Sequence, residues 1–424
     1  MASKIADRRE RRISILSRPP LRSLFAGLLC LAGCGPTATA LQHAASPLDQ
    51  PRLVVKDKEL LITDFAVIED SLRTVDPCEP GKGPLPVWSF GYLMTQIATQ
   101  SGEEDPVAFT RRWLATWEEE QTVNGFVVPA QDMLGVITNP WLFRSGGSQL
   151  DLRVAPFRLL AIVSRLDLRK IDEHGTPLDA GEARFVFGAT DQQCERIPLL
   201  VIFEFKQQAE TIEQVRAWAA RWHSLGTLDF GEDFNQALQE LTQSFTSTLN
   251  QVRTNDNAVS FIDWEQRTYV LCGRDLALAP LDQTPDASFN DSQALADYIN
   301  ANQENILGDR HVVPLAFRGG DIPTFLGWGG TGLEDRFEVR HHFALATCNG
   351  CHTYETSTPF THLANRRQHE FTRISDYLTG NNMPVFDLMG RPRYFNELER
   401  RARDLQNVVD GNNLSALSRP NRVH

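Results

Sequence analysis

Two hydrophobic periods alternate along this chain. Trp88, Phe90, Leu93, Met94 and Ile97 recur at helical spacing. Asp105-Pro106 then pairs an N-cap residue with proline at the first helical position, ahead of Phe109, Trp113, Leu114 and Trp117. These aromatics read as core. From residue 157 the period changes. FRLLAIVSRL (157–166), RFVFG (184–188) and LLVIFEF (199–205) are short β-rich runs, the last two joined by a polar loop. Residues 212–222 and 234–249 return to helical spacing, with Leu238, Leu241 and Phe245 on one face of the second. A strand pair is expected around 261–264 and 268–272, and a capped helix over 292–307. Helices and strands mix without regular βαβ alternation, so the expected class is α+β. There is no internal repeat and no glycine-rich phosphate loop.

Residues 51–317 therefore read as an α+β main domain. RGGDIPTFLGWGGTGL (318–333) is dense in glycine and proline and reads as a hinge. Residues 334–410 read as a small, mainly helical module closed by a helix with Leu398, Ala402, Leu405 and Val409 on one face. The tail, 411–424, is expected to be disordered.

The N-terminus carries a different signal. Six arginines and Lys4 precede a short apolar run, LFAGLLCL (24–31), followed by Ala32-Gly33-Cys34. A basic start, a brief apolar stretch and small residues before a cut describe a secretory signal over 1–33. The run is too short to span a bilayer, which takes about 20 residues. Leu31-Ala32-Gly33-Cys34 resembles the lipobox of bacterial lipoproteins. The resemblance implies cleavage before Cys34, a lipid on its thiol, and a tether over 34–50. Gly35 after the anchor favours the outer membrane by the same resemblance, with the protein facing the periplasm. Residues 1–33 hold seven positive charges against Asp7 and Glu10, a net +5, so a chain total of −12 leaves −17 for the remainder. That charge argues against nucleic acid as a partner and leaves the acyl chains as the membrane contact.

Cys348-Asn349-Gly350-Cys351-His352 is C-x-x-C-H, the attachment signature of c-type haem. Two thiols three apart on a helical turn can add to the two vinyl groups, and the adjacent imidazole faces the iron from the same side. For this composition the chance frequency of the pattern is about 0.003. The reading assigns Cys348 and Cys351 to covalent haem and His352 to the proximal position, with Met383 or His362 as the distal ligand. It implies haem c as cofactor and a redox partner protein. Two alternatives stand beside it: a zinc site from Cys348, Cys351, His362 and His369, or a local disulfide staple in an envelope binding or scaffold protein.

Longer stretches, VNGFVVPA (123–130), APFRLLAIVSRLDLR (155–169), GEARFVFG (181–188), RWHSLG (221–226) and CNGCHTYET (348–356), resemble a family of uncharacterised bacterial lipoproteins well represented in myxobacteria. The resemblance implies the same architecture and no particular activity. The tail lacks the glycine-proline loop that supports the proximal histidine in many small cytochromes c. Charges embedded in the β-runs also stand out. Arg165, Glu204, His223 and Arg253 read either as satisfied ion pairs at a sheet end or as a polar cleft converging on a substrate. No G-x-S-x-G or H-E-x-x-H motif supports a hydrolase. Beyond the motif pair and the two N-terminal cysteines, Cys78, Cys194 and Cys272 allow one disulfide whose members the sequence leaves open.

Overall fold

The computed structural model describes residues 52–257, 264–323, 327–353, 355–380, 383–412 and 414. The expected signal peptide, the lipidation site Cys34, the tether, most of the tail and the strand residues 261–263 lie outside the described residues.

The fold is α+β, built on an eight-stranded sheet. Its strands are β1 (Leu61–Ile62), β2 (Phe157–Arg165), β3 (Glu182–Thr190) and β4 (Arg196–Lys206). They continue with β5 (Leu249–Asp256), β6 (Glu265–Cys272), β7 (Asp275–Ala279) and β8 (Asp321–Pro323). Every pairing is antiparallel, in the order β1-β2-β3-β4-β5-β6-β8, and β7 also pairs with β6. All nine residues of β2 and all nine of β3 are buried, which is why their sequences lack a half-buried alternation.

The pleat still separates two kinds of side chain. One face presents Phe185, Phe187, Val201, Phe203, Phe205 and Tyr269. Against it lie helices α1 (Phe90–Ser101) and α2 (Pro106–Ala115), which contribute Phe90, Trp113 and other core residues. Asp105 caps α2 as its sequence predicts, accepting from the Val107 and Ala108 amides. The opposite face carries charge. Register places Arg165 opposite Glu182, Arg184 opposite Glu204, and Arg253 between Ile202 and Thr268.

That charged face is also covered. Helix α3 (Ile212–Leu225), opened by a Thr211/Gln214 capping box, packs with the last helix, α8 (Glu397–Val409). Between α3 and α8 the chain forms α4 (Glu232–Gln243), α5 (Gln293–Ala301), α6 (Phe337–Leu345) and α7 (Cys348–His352). Helix α4 stops at Gln243, short of the expected 249, because the following threonines turn the chain into β5: the Thr248 hydroxyl donates to the Lys206 carbonyl. Leu363, Leu378, Leu398, Leu405 and Val408 join Leu160, Val163, Val186 and Leu200 in one apolar cluster. Residues 51–424 form a single compact unit. Inside 318–333, Asp321–Pro323 pairs with β6 and Trp328 is fully buried. No helix among the described residues is long and apolar enough to cross a membrane.

Candidate functional site

Helix α7 is a single turn, and its surroundings show why these residues make one. Thr347 caps it, accepting from the Gly350 amide at 3.3 Å. Gly350 meets the end of α6 so closely that a Cβ there would lie 2.1 Å from the Ala344 carbonyl oxygen. Only glycine allows that approach. Asn349 is buried and accepts from Trp328 Nε1 at 3.0 Å, while the Cys348 amide donates to Thr284 Oγ1 at 3.0 Å. The turn is thus held from three directions.

Cys348 and Cys351 are both buried thiols that form no disulfide with each other. Cys348 packs into the cluster of Trp328 and Phe343, whereas Cys351 packs into the cluster above the charged sheet face. Burial pushes the Cys348 thiol up to about 11. That is the opposite of an activated nucleophile.

His352 stacks on Trp264, with ring centroids 4.9 Å apart. Its Nδ1 lies 2.5 Å from the Phe360 carbonyl oxygen. A carbonyl only accepts, so Nδ1 carries the proton and Nε2 is the lone-pair nitrogen. Burial drives the imidazole down to about 3, so the ring is neutral. His362 lies against it at 4.6 Å between centroids, with Nε2 3.4 Å from Cys351 Sγ and Nδ1 2.8 Å from Ser375 Oγ. Burial likewise lowers His362.

The structure divides the remaining candidates. Met383 is 72% exposed and stands outside this group. His369 is turned to the surface, 2.7 Å from Glu69. Of the four proposed zinc ligands, Cys351 and His362 are in contact, and His369 is at the surface. Arg165 and Arg253 line the same cavity as His352 and His362, with Glu204 beside them 3.6 Å from Arg253. His223 is elsewhere, paired with Glu59 at 2.8 Å. The three remaining cysteines resolve into a Cys78–Cys194 disulfide and an exposed Cys272.

An inner cavity of about 80 Å³ lies between the charged face and the 361–363 segment. Arg165, Arg184, Arg253 and Arg401 line it together with His352 and His362. An outer cavity of about 260 Å³ adjoins it through Leu200, Asn255 and Thr361 and is bounded by Trp264 and Phe360. A further cavity, about 550 Å³, lies apart, mainly along residues 68–87.

A second cluster, His341, Glu355 and Asp387, was not singled out from sequence. Its ligand atoms lie within 4.8 Å of one another. Its charges are already met: Arg340 grips both Glu355 oxygens at 2.6 and 3.2 Å, and Arg393 donates to Asp387 at 2.8 Å. Its three members stand far apart in the sequence with no spacing that marks them. No family model, curated protein or solved structure matches this chain.

Proposed function

We propose that this is a lipid-anchored protein of the cell envelope that carries a covalent haem on Cys348 and Cys351 and works in electron transfer or redox sensing. The observation that carries the reading is the setting of His352. Its Nδ1 proton is used on the Phe360 carbonyl and its Nε2 keeps the lone pair. Fixing one imidazole nitrogen on a carbonyl so that the other can ligate is the common outer-sphere arrangement of metal-binding histidines. His362 supplies a second imidazole against the first ring.

The residues fit a haem in donor type, with two thiols on one turn and an oriented proximal imidazole; His362, in contact with the His352 ring, would have to draw back for an iron to lie between them. In room the fit is incomplete: the inner cavity, about 80 Å³, holds no porphyrin, and neither Cys348 nor Cys351 lines it or the outer one. Taken together the two cavities reach the lower end of the roughly 300–1,000 Å³ of small-molecule sites. A bound haem supplies a one-electron iron couple. The chain's own part is orientation and exclusion of water: Phe360 fixes the ring of His352, Trp264 covers its face, and burial keeps both histidines neutral.

One observation favours a second reading, an envelope scaffold or binding protein in which CNGCH is structural. Cys348 and Cys351 anchor in two different apolar clusters, which a purely structural turn would also do. A visible spectrum decides. Protein exported alongside haem-maturation machinery should show a sharp reduced α-band, with colour that stays on the chain in denaturant. Colourless protein under those conditions rejects the haem reading and leaves the scaffold.

A further inference from the structure

Four guanidinium groups line the inner cavity, Arg165, Arg184, Arg253 and Arg401, and no carboxylate is among its described lining residues. Arg165 pairs with Asp167 at 2.9 and 3.2 Å. Arg184 lies 2.6 Å from Glu182 and 3.3 Å from Glu204, and Arg253 shares Glu204 at 3.6 Å. On α8, Arg400 bonds Glu397 at 2.6–3.0 Å and also reaches Asp167. Arg401 is left with the same Glu397, at 3.5 Å, beyond good hydrogen-bonding geometry. Its Nε has no hydrogen-bond partner, and its side chain is 5% exposed. Arg401 thus ends in the cavity with one loose ion pair and an unbonded Nε. The two histidines add no charge.

We infer that this cavity is a binding site for a small carboxylate or trigonal oxyanion, held by the Arg401 guanidinium with Arg165 and Arg253 around it. A buried cation without a full partner is destabilising, and a small anion relieves it. The size agrees: about 80 Å³ takes only a few heavy atoms beyond a carboxylate. So do the walls. Leu61, Val163, Val186 and Leu378 keep the local dielectric low, which strengthens the attraction. Burial and the like charge of Arg165 lower Arg401 to about 10, as an under-compensated cation requires. The inference does not depend on haem at α7. A haem side-chain carboxylate and a free anion share the chemistry, and the test separates them.

The test is a thermal-shift and calorimetric titration of the haem-free full chain with sodium formate and sodium nitrate, chloride holding ionic strength constant. The wild-type chain should gain several degrees over the chloride control. Arg401→Met should weaken binding at least tenfold and erase that gain, while melting no lower than wild type in chloride, because the uncompensated charge is gone. Leu378→Phe, which fills the cavity without touching a charge, should erase the gain as well. It serves where Arg401→Met fails to fold. Equal melting in formate, nitrate and chloride overturns the inference, as does an undiminished gain in both variants. A response present in haem-free protein and lost after haem attachment keeps the site and identifies the haem carboxylate as its occupant.

Discussion

Arg169, just after β2, and Asp404, on α8, form a bidentate ion pair with both side chains at most 1% exposed and Nη2–Oδ1 at 2.8 Å. Arg169 also donates to the Leu414 carbonyl. This pair ties the end of the chain to the sheet from which water is excluded. Removing one member of a buried pair leaves the other charged and alone, at about 3–5 kcal/mol. Asp404→Ala should therefore lower stability by about that much in urea titrations, whereas Arg169→Met with Asp404→Leu should cost far less. Equal losses in the single and double variants would show that the pair's charge is not what matters.

His362 and Met383 compete for the distal position in the sequence, and only His362 lies beside His352. Met383→Ala should leave the visible spectrum and potential of haem-loaded protein unchanged. His362→Ala should shift both, or yield a high-spin spectrum, measured by absorption and redox titration. A methionine ligand would hold the potential higher than two histidines do, so loss of a methionine-type signature in the Met383 variant would reverse the assignment.

Thiol labelling should be strongly unequal in haem-free protein. Cys272 is exposed, while Cys348 is buried with its thiol pushed up to about 11. Peptide mapping after brief alkylation should find Cys272 modified in the native state and Cys348 only in denaturant. Prompt native labelling of Cys348 would contradict the closed packing of α7.

Glu265 and Asp321 sit close together on the paired strands β6 and β8, and burial first of all raises each to about 7. An unfolded carboxylate titrates near 4. The folded state therefore binds these protons more tightly. Their contribution to stability is fully present below about pH 4 and is lost as pH climbs to 7. Glu265→Gln should raise the melting temperature at pH 8 relative to wild type and narrow to no advantage near pH 4. The comparison with wild type is needed because Asp167 and Asp387, held low by neighbouring arginines, act in the opposite sense in acid. A constant difference across that range would remove Glu265 as its source.

The Cys78–Cys194 disulfide closes a sequence separation of 116 residues. Loops of that length place the stabilisation at about 2–5 kcal/mol. Replacing both by alanine should lower the melting temperature, with reductant affecting wild type and sparing the variant.

Local signals in the sequence carried through to the fold. Asp105-Pro106 starts a helix, the runs from 157 and 199 are strands, and the mixed order gives α+β. What depends on register was not legible. Arg165 and Arg253 are 88 positions apart in the numbering and meet only because β2 to β5 align as they do, while His223, grouped with them by residue type, faces Glu59 instead. Pairing of Cys78 with Cys194 likewise needs the third dimension. His341, Glu355 and Asp387 share no spacing that marks a cluster, because a helix, a turn and a hairpin loop deliver them separately.

The two faces of the sheet also differ in when they can be completed. The aromatic face is covered mainly by segments that precede residue 250. The charged face, partly under α3, is completed only by residues 340–410, which a growing chain delivers after the sheet strands it covers. Until then its arginines and carboxylates stay hydrated, so the partly made molecule shows water a polar surface in place of a sticky one. Closure of the site then follows completion of the sheet, and anything that must enter it has its easiest passage before α8 docks.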